Sequence, residues 1–169
     1  MADLEYLAKT KNQLAVYVDL VKSHAATHLE DTPQLQDLVL EALAGLKVKG
    51  DYLEIELDMG RIIGMTDGVK IEEGDEIIWA KRKNRDSYTV FNKSKVSQPS
   101  SFITLALSRQ ADGSYVLESA FISSGEGCSP PFPDEPKATV ASKDYWSKHA
   151  LAWGTQEIQA GSVTTKCPW

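Results

Sequence analysis

Long apolar runs, a leader pattern and cysteine are what this chain has least of, and each shortage removes a class of protein. Nothing in its 169 residues approaches the roughly 18 consecutive apolar side chains of a membrane span. The N-terminus, MADLEYLAKTKNQ, lacks the basic-then-apolar order of a secretory signal, so the expected setting is the cytoplasm, or export by a route without such a signal. Only two cysteines occur, Cys128 and Cys167, both in proline-containing segments and without the CxxC or Cys/His spacing of a zinc site. They are expected as free thiols, since a disulfide requires an oxidising compartment.

Signature loops are missing as well. There is no GxxxxGK followed by Ser or Thr, no GxGxxG after a strand and no GxSxG, which removes the best support for phosphate-loop, dinucleotide-fold and hydrolase-elbow chemistry. ADP-ribosyl transfer lacks its succession of Arg, Ser-x-Ser and Glu-x-Glu. No cofactor or metal is expected. Positive charge is also short: 18 basic against 24 acidic residues give a formal charge of -6, which argues against a protein that coats nucleic acid through a broad basic surface.

What is present is the composition of a globular domain, 42% hydrophobic and 25% charged. Leu4, Leu7, Leu14, Val18 and Val21 fall at helical spacing and predict an amphipathic helix over 3–24. Thr32 as cap and Pro33 in the first turn open a second helix carrying Leu35, Leu38, Val39, Leu43 and Leu46, closed by Lys47, Lys49 and Gly50. The expectation is an α-helical hairpin over 1–50.

From YLEIELD onward the period becomes two, and strands are expected near 52–58, 76–82, 88–91, 102–108 and 115–123, the last two joined by a turn at Asp112-Gly113. Residues 123–136 are too rich in Gly and Pro for regular structure. A short helix through KDYWSKHA, capped by Ser142, and a strand at LAWG follow. The expected fold is α+β, the hairpin preceding a twisted antiparallel sheet, with domains 1–50 and 51–154 and a tail, 155–169, that is packed or flexible.

Three clusters invite a chemical reading. His24 and His28 share a helix face, but HAATH lacks the Glu of HExxH, and both are expected as solvated helix-end residues. Glu72, Glu73, Asp75 and Glu76 are expected as an exposed acidic turn, because calcium loops need a longer alternating pattern. WAKRKNR is different: residues 76–95 hold six basic side chains against two acidic ones, +4 in a chain that is otherwise -10. A regular strand would put Lys81, Lys83 and Arg85 on one face and Arg82 on the other, so at least one basic set faces water or a cleft. A charged edge strand protected by its lysines is the plain alternative.

His149, among Tyr145, Trp146 and Trp153, is the one histidine in the β part, and imidazole ionises nearest neutrality. Thr104 offers a hydroxyl that donates to a phosphate or merely satisfies an edge. Guanidinium, ammonium, hydroxyl and imidazole together suit attack of an RNA 2′-hydroxyl on its own phosphorus, the histidine moving protons and the cations stabilising the phosphorane.

The basic strand DEIIWAKRKNRDSYTVF, the hairpin SFITLALSRQADGSYVLESAFIS, the Pro-rich loop and YWSKHALAWG resemble nuclease domains of the barnase, EndoU, colicin and RelE-like group from phage and polymorphic-toxin proteins, over about residues 52–154. The resemblance implies a barnase/EndoU/RelE-like sheet and a metal-independent endoribonuclease. Its catalytic residues would be His149, Arg82, Arg85 and Thr104, with Lys81 and Lys83 in support and Tyr145 or Trp146 stacking on a base. It implies RNA as partner and an immunity or antitoxin protein; the N-terminal helices could form a homodimer. The alternative is a non-enzymatic module binding RNA through the same cations, or a protein through residues 3–46.

Overall fold

The computed structural model describes residues 4–19 and 33–169. In chain order its elements are β1 (Leu4–Lys9), β2 (Ala15–Asp19), α1 (Pro33–Ala44), β3 (Tyr52–Asp58), β4 (Gly64–Thr66), β5 (Gly68–Lys70), β6 (Ile77–Lys81), β7 (Tyr88–Asn92), β8 (Gln98–Ser100), β9 (Phe102–Arg109), β10 (Tyr115–Ser123), α2 (Val140–Lys148) and β11 (His149–Ala152). The chain is mostly β and divides into two compact units, residues 1–64 with 100–128 and residues 65–99 with 129–169.

The expected N-terminal helical hairpin is overturned. Among the described residues its first half is the antiparallel β1–β2 hairpin and its second half the helix α1, and the strands that follow form several sheets in place of the one antiparallel sheet expected. The leucine spacing that suggests a helix is met by two strands, because the polar break at Thr10–Gln13 interrupts it and the run Ala-Val-Tyr-Val-Asp is rich in β-branched and aromatic side chains. Asn12 fixes the turn. It accepts from Thr10 Oγ1 at 2.6 Å and from the Val48 amide at 3.2 Å, and its own amide donates to the Val48 carbonyl at 2.8 Å. Gln13 takes a left-handed φ of 65° to close it. Thr32, His24 and His28 lie outside the described residues.

The first unit is a five-stranded sheet in the order β1-β2-β10-β9-β3. Alternation sends Leu53, Ile55 and Leu57 with Ile103, Leu105 and Leu107 to one face, where Val16, Val18 and the apolar stripe of α1 complete the core. Among the described residues the helix that covers this sheet is α1. Leu105 is fully buried, paired with Ile55 on one side and Ala120 on the other.

The second unit has a four-stranded mixed sheet, β5-β11-β7-β6. α2 runs straight into β11, which lies antiparallel to β5 and parallel to β7. Thr139 and Ser142 form a capping box at the start of α2, so the cap is one turn earlier than Ser142 alone suggests. Val90, Ala150, Trp146 and Phe132 pack in one cluster, and Ile78, Ala80 and Phe91 in another. The C-terminal segment covers the outer edge of β6: Trp79 and Thr164 exchange both backbone bonds at 2.9 and 2.8 Å, Gln159 N–H donates to Lys81 O at 2.8 Å, and Lys83 N–H to Glu157 O at 2.9 Å.

Truncating Leu105 to Ala leaves a cavity at the centre of the first sheet, and unfolding in urea should show a loss of about 2–5 kcal/mol. An unchanged midpoint would mean that β9 is not central to that core.

Candidate anion-binding site

WAKRKNR is a strand that stops. β6 ends at Lys81, Arg82 makes a single bridge to Ile158, and the chain turns at Lys83-Asn84, with Asn84 at φ 62° and Arg85 N–H donating to Arg82 O at 3.1 Å. The regular alternation expected through Arg85 is therefore absent, and the turn brings Arg82 and Arg85 to the same place. Lys83 and Arg85 are exposed, Arg82 half-buried.

Arg82 is fixed in three ways. Its Nε–H donates to Thr89 Oγ1 at 2.9 Å across the β6–β7 hairpin, its guanidinium lies 5.7 Å from the centre of the Phe132 ring, and Gln159 holds its carbonyl at 3.0 Å. Burial lowers its pKa from the ordinary arginine value, and the neighbouring charge of Arg85 lowers it further, against a weaker opposing pull from Glu135. Among the described residues neither Arg82 nor Arg85 has a carboxylate within ion-pair distance. The backbones of the two arginines are held in one turn, their charges are near enough to influence one another, and the terminal nitrogens of Arg82 are uncommitted, an arrangement that favours a bound anion.

The supporting lysines are spent differently. Lys81 Nζ lies 5.1 Å from the centre of the Tyr88 ring, and Lys83 pairs with Glu157 at 3.2 Å on the surface.

His149 follows from the sheet register. Leu151 pairs with Phe91 in the parallel β11–β7 ladder, so two residues back His149 stands level with Thr89, the residue that holds Arg82. Its Nδ1 lies 3.0 Å from the Tyr145 carbonyl. A carbonyl cannot donate, so Nδ1 carries the proton and the neutral ring has its lone pair on Nε2. Nε2 is buried, and the imidazole stacks on Tyr145 with centroids 4.1 Å apart. Trp146 is committed elsewhere: it is buried, stacked on Phe132 at 4.3 Å, and donates from Nε1 to Pro130 O at 3.0 Å, which takes it out of base stacking. Thr104 belongs to the first unit, where it is buried and donates to Ser123 Oγ at 2.8 Å.

The acidic turn folds on itself, Asp75 accepting from the Glu72 amide at 2.9 Å and from Asn92 Nδ2 at 2.8 Å. Among the described residues no cluster of His, Cys, Asp and Glu has the grouping to hold a metal ion, and no helix is long and apolar enough to cross a membrane. Both cysteines are free and exposed. In the first unit Glu56 accepts from the amides of Gly125 and Gly127 at 3.0 and 2.8 Å, which folds the Gly-rich loop onto the sheet. Although the residue as a whole is exposed, desolvation of its thiol, with Glu54 and Glu56 alongside, pushes Cys128 up to about 11.

The two units differ in charge, with 7 basic and 14 acidic residues in the first and 11 and 10 in the second. Gln159 and Thr89 carry no local sequence signal. Each is a single polar residue whose role depends on a partner across the fold.

No family model matches the chain, and neither curated proteins nor solved structures give a match.

Two outcomes follow. Replacing Thr89 with Val keeps the shape but strands the Arg82 Nε–H, and should cost about 1–3 kcal/mol in denaturant unfolding; a neutral effect would show that Arg82 is not held there. With its thiol at about 11, Cys128 has roughly one thiolate in a thousand at pH 8. Its alkylation, followed peptide by peptide in a mass spectrometer, should rise about tenfold per pH unit up to that value. The Glu54→Gln variant should react faster, and a pH-independent rate would contradict the assigned environment.

Proposed function

We propose that the second unit binds an RNA phosphodiester on Arg82 and Arg85 and cleaves it without a metal, by attack of the 2′-hydroxyl on the adjacent phosphorus. The observation that carries this is the arginine pair, one member half desolvated, with no carboxylate among the described residues within ion-pair distance. Arg82 binds end-on because Nε is engaged by Thr89, leaving two terminal nitrogens for phosphate oxygens. His149, level with Thr89 and holding its lone pair on Nε2, takes the proton of the 2′-hydroxyl. Arg85 adds charge as the phosphorane forms, and the P–O5′ bond then breaks to leave a 2′,3′-cyclic phosphate and a 5′-hydroxyl, whose proton comes from the protonated His149 or from water. Thr104 is left out of this scheme, and base contacts are left to Tyr145. An enzyme of this kind needs an inhibitory partner in a host that expresses it.

A second reading, a non-enzymatic RNA-binding module on the same arginines, is favoured by the cover over His149 Nε2, since a general base must reach the proton it removes.

The test is incubation of a labelled single-stranded RNA with the protein in excess chelator. Cleavage that leaves a cyclic phosphate, and that falls by about 10²-fold or more in His149→Ala and in Arg82→Ala, supports the enzyme. Intact RNA bound in a salt-sensitive way, and released by Arg82→Ala, supports the module. Failure of both sinks the phosphodiester reading.

A further inference from the structure

Two arginines of like charge in one turn repel, so something has to keep them converged when no anion is present. The groups that do this come from the C-terminal segment. Gln159 Nε2 donates to the carbonyl of Arg82 at 3.0 Å and to the carbonyl of Arg85 at 2.6 Å, which uses both hydrogens of one amide. These are the backbones of the two residues whose side chains make the site. The turn bond from Arg85 N–H to Arg82 O closes the same ring from inside, and Asn84 takes the left-handed backbone that the ring requires.

Gln159 is itself anchored. Its amide donates to Lys81 O at 2.8 Å, its carbonyl accepts from Ser162 Oγ at 2.8 Å, and Ser162 Oγ accepts from Lys81 N–H at 3.0 Å. A separate strand-like contact, Trp79 with Thr164, fixes the far end of the segment. The side chain therefore reaches the turn from a rigid base.

We propose that Gln159 is a positioning residue: it clamps the Arg82–Arg85 turn so that the two guanidinium groups meet a phosphate as one preformed unit, with the ordering made before the ligand arrives. The use assigned to the clamp rests on the phosphodiester reading above. The clamp itself rests only on the bonds just described. Preformed donors cost nothing to reorganise when the anion binds, and that saving appears as affinity.

The experiment compares wild type, Gln159→Ala, Arg82→Ala/Arg85→Ala and the combined triple variant. Binding is measured with a fluorescein-labelled single-stranded RNA and, separately, with inorganic pyrophosphate; amide hydrogen exchange over residues 82–87 is followed in the free proteins. The expected result is about threefold to tenfold weaker binding of both probes in Gln159→Ala, faster exchange confined to the turn, and no further loss when the substitution is added to the double arginine variant. A merely structural role would instead lower binding equally in the presence and absence of the arginines, and that outcome overturns the proposal. So does wild-type affinity in Gln159→Ala. A wild type that ignores RNA but takes up pyrophosphate in a Gln159-dependent way removes the RNA reading and leaves the clamp. Binding of neither probe removes both. If Gln159→Ala melts well below wild type, Gln159→Glu replaces it, because a carboxylate facing two carbonyls keeps the packing but has no hydrogen to donate at neutral pH.

Discussion

A guanidinium half withdrawn from water beside a second one is the most demanding arrangement in the second unit, and the elements around it are disposed to sustain it. Each charge loses hydration, and the pair repels at short range where water screens least. The usual remedy, a carboxylate in contact, is absent among the described ion pairs. In its place stand a hydroxyl on Nε, an aromatic face, and a more distant Glu135 that is already used to hold the Phe132 amide at 2.5 Å. These satisfy the donor and cover the flat apolar faces of the group while leaving its charge uncancelled. Such a site is most stable when an anion completes it.

The sheet supplies the precision this needs. β7 is buried along most of its length, so Thr89 cannot drift, and β6 is held on one edge by β7 and on the other by the C-terminal segment. The direct passage from α2 into β11 sets His149 at the first position of a parallel strand, and its backbone N–H still closes the last turn of the helix on Tyr145 O. Imidazole orientation and arginine position thus derive from the same four strands.

How much of this the sequence discloses depends on whether the signal is local. The strands expected near 52–58, 76–82, 88–91, 102–108 and 115–123 form close to those places, although β7 and β9 are buried on both faces and not on one row alone. The first helix fails because Leu4, Leu7, Leu14 and Val18 satisfy a helical and a two-strand reading equally. The deciding facts are Asn12 gripping Val48 from 36 residues away and the β-branched run after it. The arginine stretch is visible as a charge cluster, but its geometry depends on the chain leaving β6 at Lys81, which only the turn at Asn84 and the clamp at Gln159 decide. Thr104 illustrates the reverse. Its place on the polar side of an alternating strand is legible, whereas the Ser123 hydroxyl that buries it is contributed by β10.

Net charge is a poor guide to such a site, and the reason is range. At physiological ionic strength charges are screened over about 8 Å, so a phosphate arriving at the Arg82–Arg85 turn responds to the groups within a side chain's length and hardly to the chain total. Around the turn stand Arg82 and Arg85, a Lys83 balanced by Glu157, a Glu135 occupied by a backbone amide, and Asp86, next to Arg85 in the chain. The acidic surplus sits in the first unit, where Glu54 and Glu56 face Cys128 and the Gly-rich loop. A chain of -6 can therefore hold a cationic site without a broad basic surface, provided that site is built from a few fixed groups. Fixing few groups demands more of the backbone than spreading many, because affinity then depends on convergence instead of number. That is why a single glutamine that holds two carbonyls, and carries no charge itself, stands at the centre of the arrangement.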